Sequence, residues 1–250
     1  MDELNKIDKL YRFLEEQIEF LDDDASWGSM FNLPEQDMYA RDYLKFAENQ
    51  LQIGTIESLI NCISNLKRAV DCQIDIFFYT LGLNVVLKKR NLKFEKKLEF
   101  LGAIGIFSPK SLAKLNTIRN KMEHEYSIPQ IIELDLYFDL VLAFIYNLET
   151  AIIVLSTDER NLYNKDGESV NDSYFTLRLD RDSEPPVMKA VWGRRDKDAI
   201  VVMFDEYRCF SFYLRCLYLL NIKDAFVSKK YVVEQMKFEY IRLYSELNKK

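Results

Sequence analysis

Glycine and proline are scarce in this chain of 250 residues, with 7 and 5 copies. Turn-rich all-β folds and glycine-rich phosphate loops therefore find little material in it. Cysteine occurs four times, as Cys62, Cys72, Cys209 and Cys216, with no CxxC pair. Cys62 and Cys72 lie about 15 Å apart along one expected helix, and Cys209 and Cys216 about 10 Å. A disulfide needs Cα atoms within about 7 Å, so neither local pair closes and buried reduced thiols are expected. Histidine occurs once, at His124. That excludes paired-histidine metal sites and a two-histidine acid/base mechanism within one subunit; a Ser-His-Asp or Cys-His site would have to use this residue. An excess of positive charge is also lacking. The 34 Lys and Arg face 40 Asp and Glu, a formal net charge of −6, so the global basic footprint of a general nucleic-acid binder is absent. The acidic, amphipathic start Met1-Asp2-Glu3-Leu4 does not read as a signal peptide, and a cytoplasmic protein is the expectation.

The composition does supply a core. Apolar residues make up 48% and charged residues 30%, which argues against a disordered chain. Leu4, Ile7, Tyr11, Leu14, Ile18 and Leu21 form a helical seam, ending at Asp22-Asp23-Asp24, where three acids oppose the macrodipole and predict fraying. Further helices are expected over 35–52, 55–83, 92–104, 108–126 and 130–155. Ser108-Pro109 supplies a side-chain cap followed by proline at the first helical position. Leu136 to Leu155 is apolar enough to ask whether it spans a membrane. Asp139, Asn147, Glu149 and Thr150 interrupt it, and an acid near the bilayer centre costs about 2.5–3.5 kcal/mol. A buried bundle helix, and no membrane partner, is expected. After a polar stretch over 156–173 the period changes to two. Phe175, Leu177 and Leu179 alternate with polar neighbours, and 187–192 and 199–204 read as two further strands. Two helices come after them; Phe226, Val233, Tyr240 and Leu247 recur every seven residues, a face suited to the N-terminal seam or to a partner chain.

The surroundings of His124 carry the functional reading. Leu115-Asn116-Thr117-Ile118-Arg119-Asn120-Lys121-Met122-Glu123-His124-Glu125-Tyr126 contains Arg-Asn-x-x-x-His followed by x-Tyr. On a helix, Asn120 and His124 are one turn apart, and Arg119 and His124 are separated by about 140° and 7.5 Å. One face therefore carries a broad polar band while Leu115, Ile118 and Met122 face a core. This string resembles the HEPN family (higher eukaryotes and prokaryotes nucleotide-binding), helical bundles that include many metal-independent endoribonucleases. The resemblance is carried by residues 108–127 and extends by helix pattern over 55–155. It implies a mainly α, HEPN-like up-and-down bundle over 53–157. The resemblance does not reach the two ends of the chain; their own apolar patterns lead us to expect N-terminal helices over 1–52 packing on the bundle and an appended small α+β section over 158–250.

The resemblance further implies a homodimer with a composite active site, which supplies the second histidine. Metal-free RNA cleavage needs a proton acceptor, a proton donor and positive charge for the phosphorane. Histidine titrates near neutrality, and the arginine fork matches phosphate oxygens. The expected catalytic set is His124 as general acid/base, Arg119 on the scissile phosphate and Asn120 positioning, with Glu123 and Tyr126 supporting. The ends would be a 2′,3′-cyclic phosphate and a 5′-hydroxyl, made with no cofactor and no metal. Residues 88–121 hold ten basic side chains against Glu95 and Glu99. This positive stripe could steer RNA towards the motif, with Lys110, Lys114 and Lys121 as RNA contacts. By resemblance, a toxin or phage-defence role and a nucleotidyltransferase-type antitoxin acting on Tyr126 are implied. Two other classes stay open: a non-catalytic HEPN module binding RNA, nucleotide or protein, and a structural dimerisation protein. Two minor patterns are also present. Asp75 with Glu95-Lys96-Lys97 mimics a metal nuclease motif that requires strands. The run Tyr207, Phe210, Phe212, Tyr213, Tyr218 is either helical core or a base-stacking surface.

Overall fold

The computed structural model describes residues 1–30, 32–108, 117, 120, 131–164, 174–193 and 199–247. Among these the protein is mostly helical, with a small antiparallel sheet of five strands. It divides into two compact units, Met1–Phe31 with Ile153–Lys250, and Asn32–Ile152.

The first unit begins with α1 (Glu3–Gln17). Asp2 caps it, its side chain accepting from the Asn5 amide at 2.8 Å, which satisfies one of the orphan donors at a helix start. Ile7, Tyr11 and Leu14 are buried, as the seam predicts, and Leu10, outside that seam, is buried as well. A short turn over Ile18–Phe20 leads into β1 (Asp22–Trp27). The strands β2 (Glu159–Tyr163), β3 (Tyr174–Asp180), β4 (Val187–Trp192) and β5 (Ile200–Met203) complete a sheet in chain order, every pair antiparallel. In β3, Phe175, Leu177 and Leu179 are buried and alternate with half-buried residues, the pattern of a sheet with one face on the core. The ring of Phe13 lies 4.6 Å from that of Phe175 and edge-on to Trp192.

The last two helices of the chain close this unit, α7 (Tyr207–Ile222) and α8 (Lys229–Leu247). α7 packs on four strands, on α1 and on α8. It is buried around most of its circumference, which is why its sequence is apolar nearly all round. Tyr11 stacks on Tyr240 of α8 with centroids 4.3 Å apart, and the Tyr240 hydroxyl donates to Asp8 at 2.8 Å. Of the seven-residue series, Tyr240 meets α1 within the same chain, whereas Phe226 precedes α8 and is exposed; the buried face of α8 is Val232, Met236, Glu239 and Leu243.

Three expectations change here. Asp22, Asp23 and Asp24 are not a frayed helix end but part of an edge strand. Asp23 there meets Lys223 at 3.3 Å, and a register shift falls at Asp24. The sheet has five strands rather than three, because β1 is wholly exposed and β2 buries only Leu162; neither shows the alternation that marks a strand in sequence. Residues 1–31 belong to the unit containing the C-terminal helices, whereas the expected division falls at 52/53 and 157/158. The physical reason is the α1 seam, which is covered by α7 and α8.

The second unit starts its helices with α2 (Ala40–Ile53) and α3 (Ile56–Thr80), joined by Gly54 at φ 71°. That left-handed conformation favours glycine. Thr55 then caps α3, accepting from the Ser58 amide at 3.2 Å. α3 ends at Thr80, and Gly82 at φ 73° turns the chain into α4 (Asn84–Arg90). Asn91, also left-handed, ends α4 before α5 (Phe94–Ala103). Leu66, Val70, Ile74, Phe77, Phe78, Phe100 and Leu101 are buried. The expected helix over 108–126 lies outside the described residues except for Ser108, Thr117 and Asn120, of which the last two are helical. α6 (Ile131–Leu155) matches the expected 130–155. By length and composition Leu134–Leu155 could cross a membrane, and 39% of its most apolar window is buried. Leu134, Tyr137, Val141, Phe144, Ile145 and Leu148 form the buried face, whereas Asp135 and Asp139 are exposed. The Arg41 fork grips Glu149 of this helix, Nε on Oε1 at 2.8 Å and Nη2 on Oε2 at 2.5 Å.

Candidate functional site

Of the motif, Asn120 is described. It is helical and exposed, as is Thr117 one turn before it. Side chains three apart share a helix face, so this face presents polar groups to solvent. Arg119, Glu123, His124, Tyr126, Lys110, Lys114 and Lys121 lie outside the described residues.

The upstream half of the basic stripe is described. Lys88, Lys89 and Arg90 occupy the last turn of α4 and are exposed. Cations at a helix C-terminus complement the macrodipole, so this placement is locally favourable and also turns positive charge towards solvent. Lys93 occupies the N-cap position of α5, without a side-chain cap bond, and is also exposed. Lys96 bridges Glu99 at 2.7 Å and Lys97 bridges Asp75 at 2.6 Å, so these two cations are spent on neighbours. Asp75 lies on α3 and Glu95 on α5, and Lys97 neutralises Asp75. The strand-borne metal motif that these residues mimic has no scaffold here. Among the described residues no group of three His, Cys, Asp or Glu side chains converges as metal ligands would.

The middle of the aromatic run of α7 is core, while Tyr207 and Tyr218 are half-buried. Phe210, Phe212 and Tyr213 are fully buried, and the Tyr213 hydroxyl donates to the Lys6 carbonyl at 2.8 Å. Bases cannot reach these rings. The cysteines are free thiols. Burial pushes the Cys62 thiol up to about 11, with Asp135 adding to the effect. Burial likewise raises Cys209, Cys216 and the half-buried Cys72. A reactive cysteine needs a lowered value, so none of the four is poised as a nucleophile.

The fold adds one feature that the sequence motifs do not mark. Between α2 and α3 runs an open groove of about 330 Å³ that includes Phe46, Asn49, Gln50, Asn61, Asn65 and Arg68 in its lining. A signal for it does exist in the chain: carboxamides at 61 and 65 are one helical turn apart, and Arg68 lies three residues on along the same face. Comparison with protein-family models, curated proteins and solved structures finds no match.

Proposed function

We propose that this chain is a HEPN-type, metal-independent endoribonuclease whose active site is completed by a second copy of itself. The observation that carries the reading is the string Arg119-Asn120-x-x-x-His124-x-Tyr126. It is supported by the exposed, helical Asn120 and by the exposed cations of the α4–α5 turn. The bundle over 53–157 is HEPN-like in this reading.

The chemistry derives from the residue types. Arg119 holds the non-bridging oxygens of the scissile phosphate and offsets charge in the phosphorane. One His124 imidazole takes the 2′-hydroxyl proton as that oxygen attacks phosphorus. The second copy's imidazolium donates a proton to the departing 5′-oxygen. A 2′,3′-cyclic phosphate and a 5′-hydroxyl result. Asn120 orients the phosphate or the ring, and Glu123 tethers Arg119 one turn away. Lys110, Lys114 and Lys121 extend the cationic approach for RNA. A toxin or defence effector, restrained by an antitoxin that modifies Tyr126, is the biological role this reading suggests.

The test is incubation of the purified chain with RNA in EDTA, beside His124→Ala and Arg119→Ala. Cleavage that survives EDTA and is lost in both variants supports the enzyme. RNA binding without cleavage favours a non-catalytic module. An active monomer in solution would sink the shared site.

A further inference from the structure

The α2–α3 groove is lined largely by polar side chains that have no partner among the described residues. Asn49, Gln50, Asn61, Asn65 and Arg68 make no hydrogen bond or ion pair within the described chain. Their neighbours on or flanking these helices are used. Thr55 caps α3, Arg41 grips Glu149, and Gln36 donates to the Cys72 sulfur at 3.3 Å. Phe46 sits among the idle groups and is 44% exposed. Among the described residues no carboxylate lines the groove.

The two helices are locked together independently of this lining. Leu44 and Ala47 on α2 and Leu59, Cys62, Leu66 and Ala69 on α3 are buried, and Gly54 sets the tight reversal between them. The apolar seam that pairs α2 with α3 therefore does not depend on the polar groups of the groove. Carboxamides offer both a donor and an acceptor, which suits the mixed edges of nucleobases. An exposed ring offers a stacking surface that every base can use, and a guanidinium serves phosphate or stacks on a base.

We propose that this groove is a base-binding subsite for single-stranded RNA: Phe46 stacks a base, the Asn61–Asn65 face and Asn49 hydrogen-bond base edges, and Arg68 contacts the flanking phosphate. The proposal deepens the ribonuclease reading and rests on it for the choice of nucleic acid. It entails selectivity for unpaired RNA, because base faces and edges are open only in single strands.

The experiment uses the full chain with His124→Ala, so that RNA stays intact. Its affinity for a labelled single strand of about a dozen nucleotides is read by fluorescence anisotropy. Phe46→Ala, and separately Asn61→Ala with Asn65→Ala, should each weaken binding about tenfold. Arg68→Gln should weaken it and flatten its dependence on salt. Affinity for a duplex of the same length should not move. Glu48→Gln on the exposed side of α2 is the control, and thermal melts should coincide because the altered side chains support no internal bond. Photocrosslinks from 4-thiouridine should map to residues 46–68. Unchanged affinity in the groove variants, or crosslinks confined elsewhere, overturns the proposal. So does binding of an extended uncharged peptide that Phe46→Ala abolishes while RNA affinity stays fixed, since that outcome makes the groove a peptide site. The two readings fail separately. EDTA-resistant cleavage that ignores the groove variants sinks the subsite alone. Groove-dependent RNA binding without cleavage sinks the nuclease alone.

Discussion

In the unit formed from the chain's two ends, Lys223 keeps only 1% of its side chain exposed, held by Asp23 at 3.3 Å and by Asp224 at 2.5 Å. Lys6 grips Glu206 at 2.7 Å, and the buried Glu239 is paired with Arg242. In Asn32–Ile152, by contrast, the carboxamides and Arg68 of the α2–α3 groove hold nothing within the described chain. Asn120 and the lysines at the end of α4 also face solvent. Polar groups in the first unit join segments remote in sequence: Asp23 to Lys223, Lys6 to Glu206, Asp8 to Tyr240. They act on which strands and helices meet. Polar groups of the second unit's groove are left without a partner among the described residues after α2 and α3 have paired.

This contrast can be broken or sharpened by substitution. The largest effect belongs to His124→Ala, expected to lower RNA cleavage about 10²–10⁴-fold with no loss of helicity by circular dichroism. A parallel fall in helicity would place this residue among the stabilising groups instead. Next comes Phe210→Ala in α7, which removes a fully buried ring packed edge-on to Phe204 at 5.2 Å. It should cost about 3–5 kcal/mol in urea denaturation.

Gly28→Ala tests how tightly the first unit is assembled. A Cβ there would lie 2.5 Å from the Ser156 carbonyl oxygen, and backbone must shift to admit it. A loss of about 1–3 kcal/mol is expected, whereas Gly54→Ala meets no atom within 4 Å and is opposed only by its φ of +71°. The smallest effect concerns acid. Lys189 holds the Asp180 carboxyl below its ordinary value, through a hydrogen bond and charge against some opposing burial. The folded chain therefore binds that proton more weakly than the unfolded chain does. Its stabilisation is present above the unfolded value of about 3.9 and is lost as pH falls through the lowered folded value. Asp180→Asn should cost less than about 1 kcal/mol at neutral pH and flatten the acid limb of stability against pH. An unchanged acid limb would show that the pair is inert.

Legibility in the sequence depends on whether a residue's role is local. The helices α1, α3, α5 and α6 can be read from periodic apolar residues, and β4 can be read at its observed bounds because five of its six residues are apolar or aromatic. β1 is hidden because Asp22-Asp23-Asp24 has no strand propensity. It is a strand because β2 lies beside it, with Asp22 opposite Tyr163 and Trp27 opposite Glu159. Gly82 marks the end of α3 in the sequence, but the short α4 that lies between it and the left-handed Asn91 is not predicted by the apolar spacing. The groove is half hidden: the spacing of Asn61, Asn65 and Arg68 marks its α3 side, but nothing in the sequence says what lies opposite. Only the antiparallel pairing of α2 with α3 brings Phe46 and Asn49 to Asn61 and Asn65.

The sequence by itself determined where most helices run, through apolar spacing, caps and left-handed glycines, since each of these acts within a few residues. It also set the inventory of chemistry: one imidazole, in register with an arginine and an asparagine. Only the tertiary structure decided that the first thirty residues join the last hundred, that an acidic segment becomes a sheet edge, and that a row of idle amides shares one groove. Those outcomes depend on burial and pairing between remote segments, and no local pattern encodes the partner.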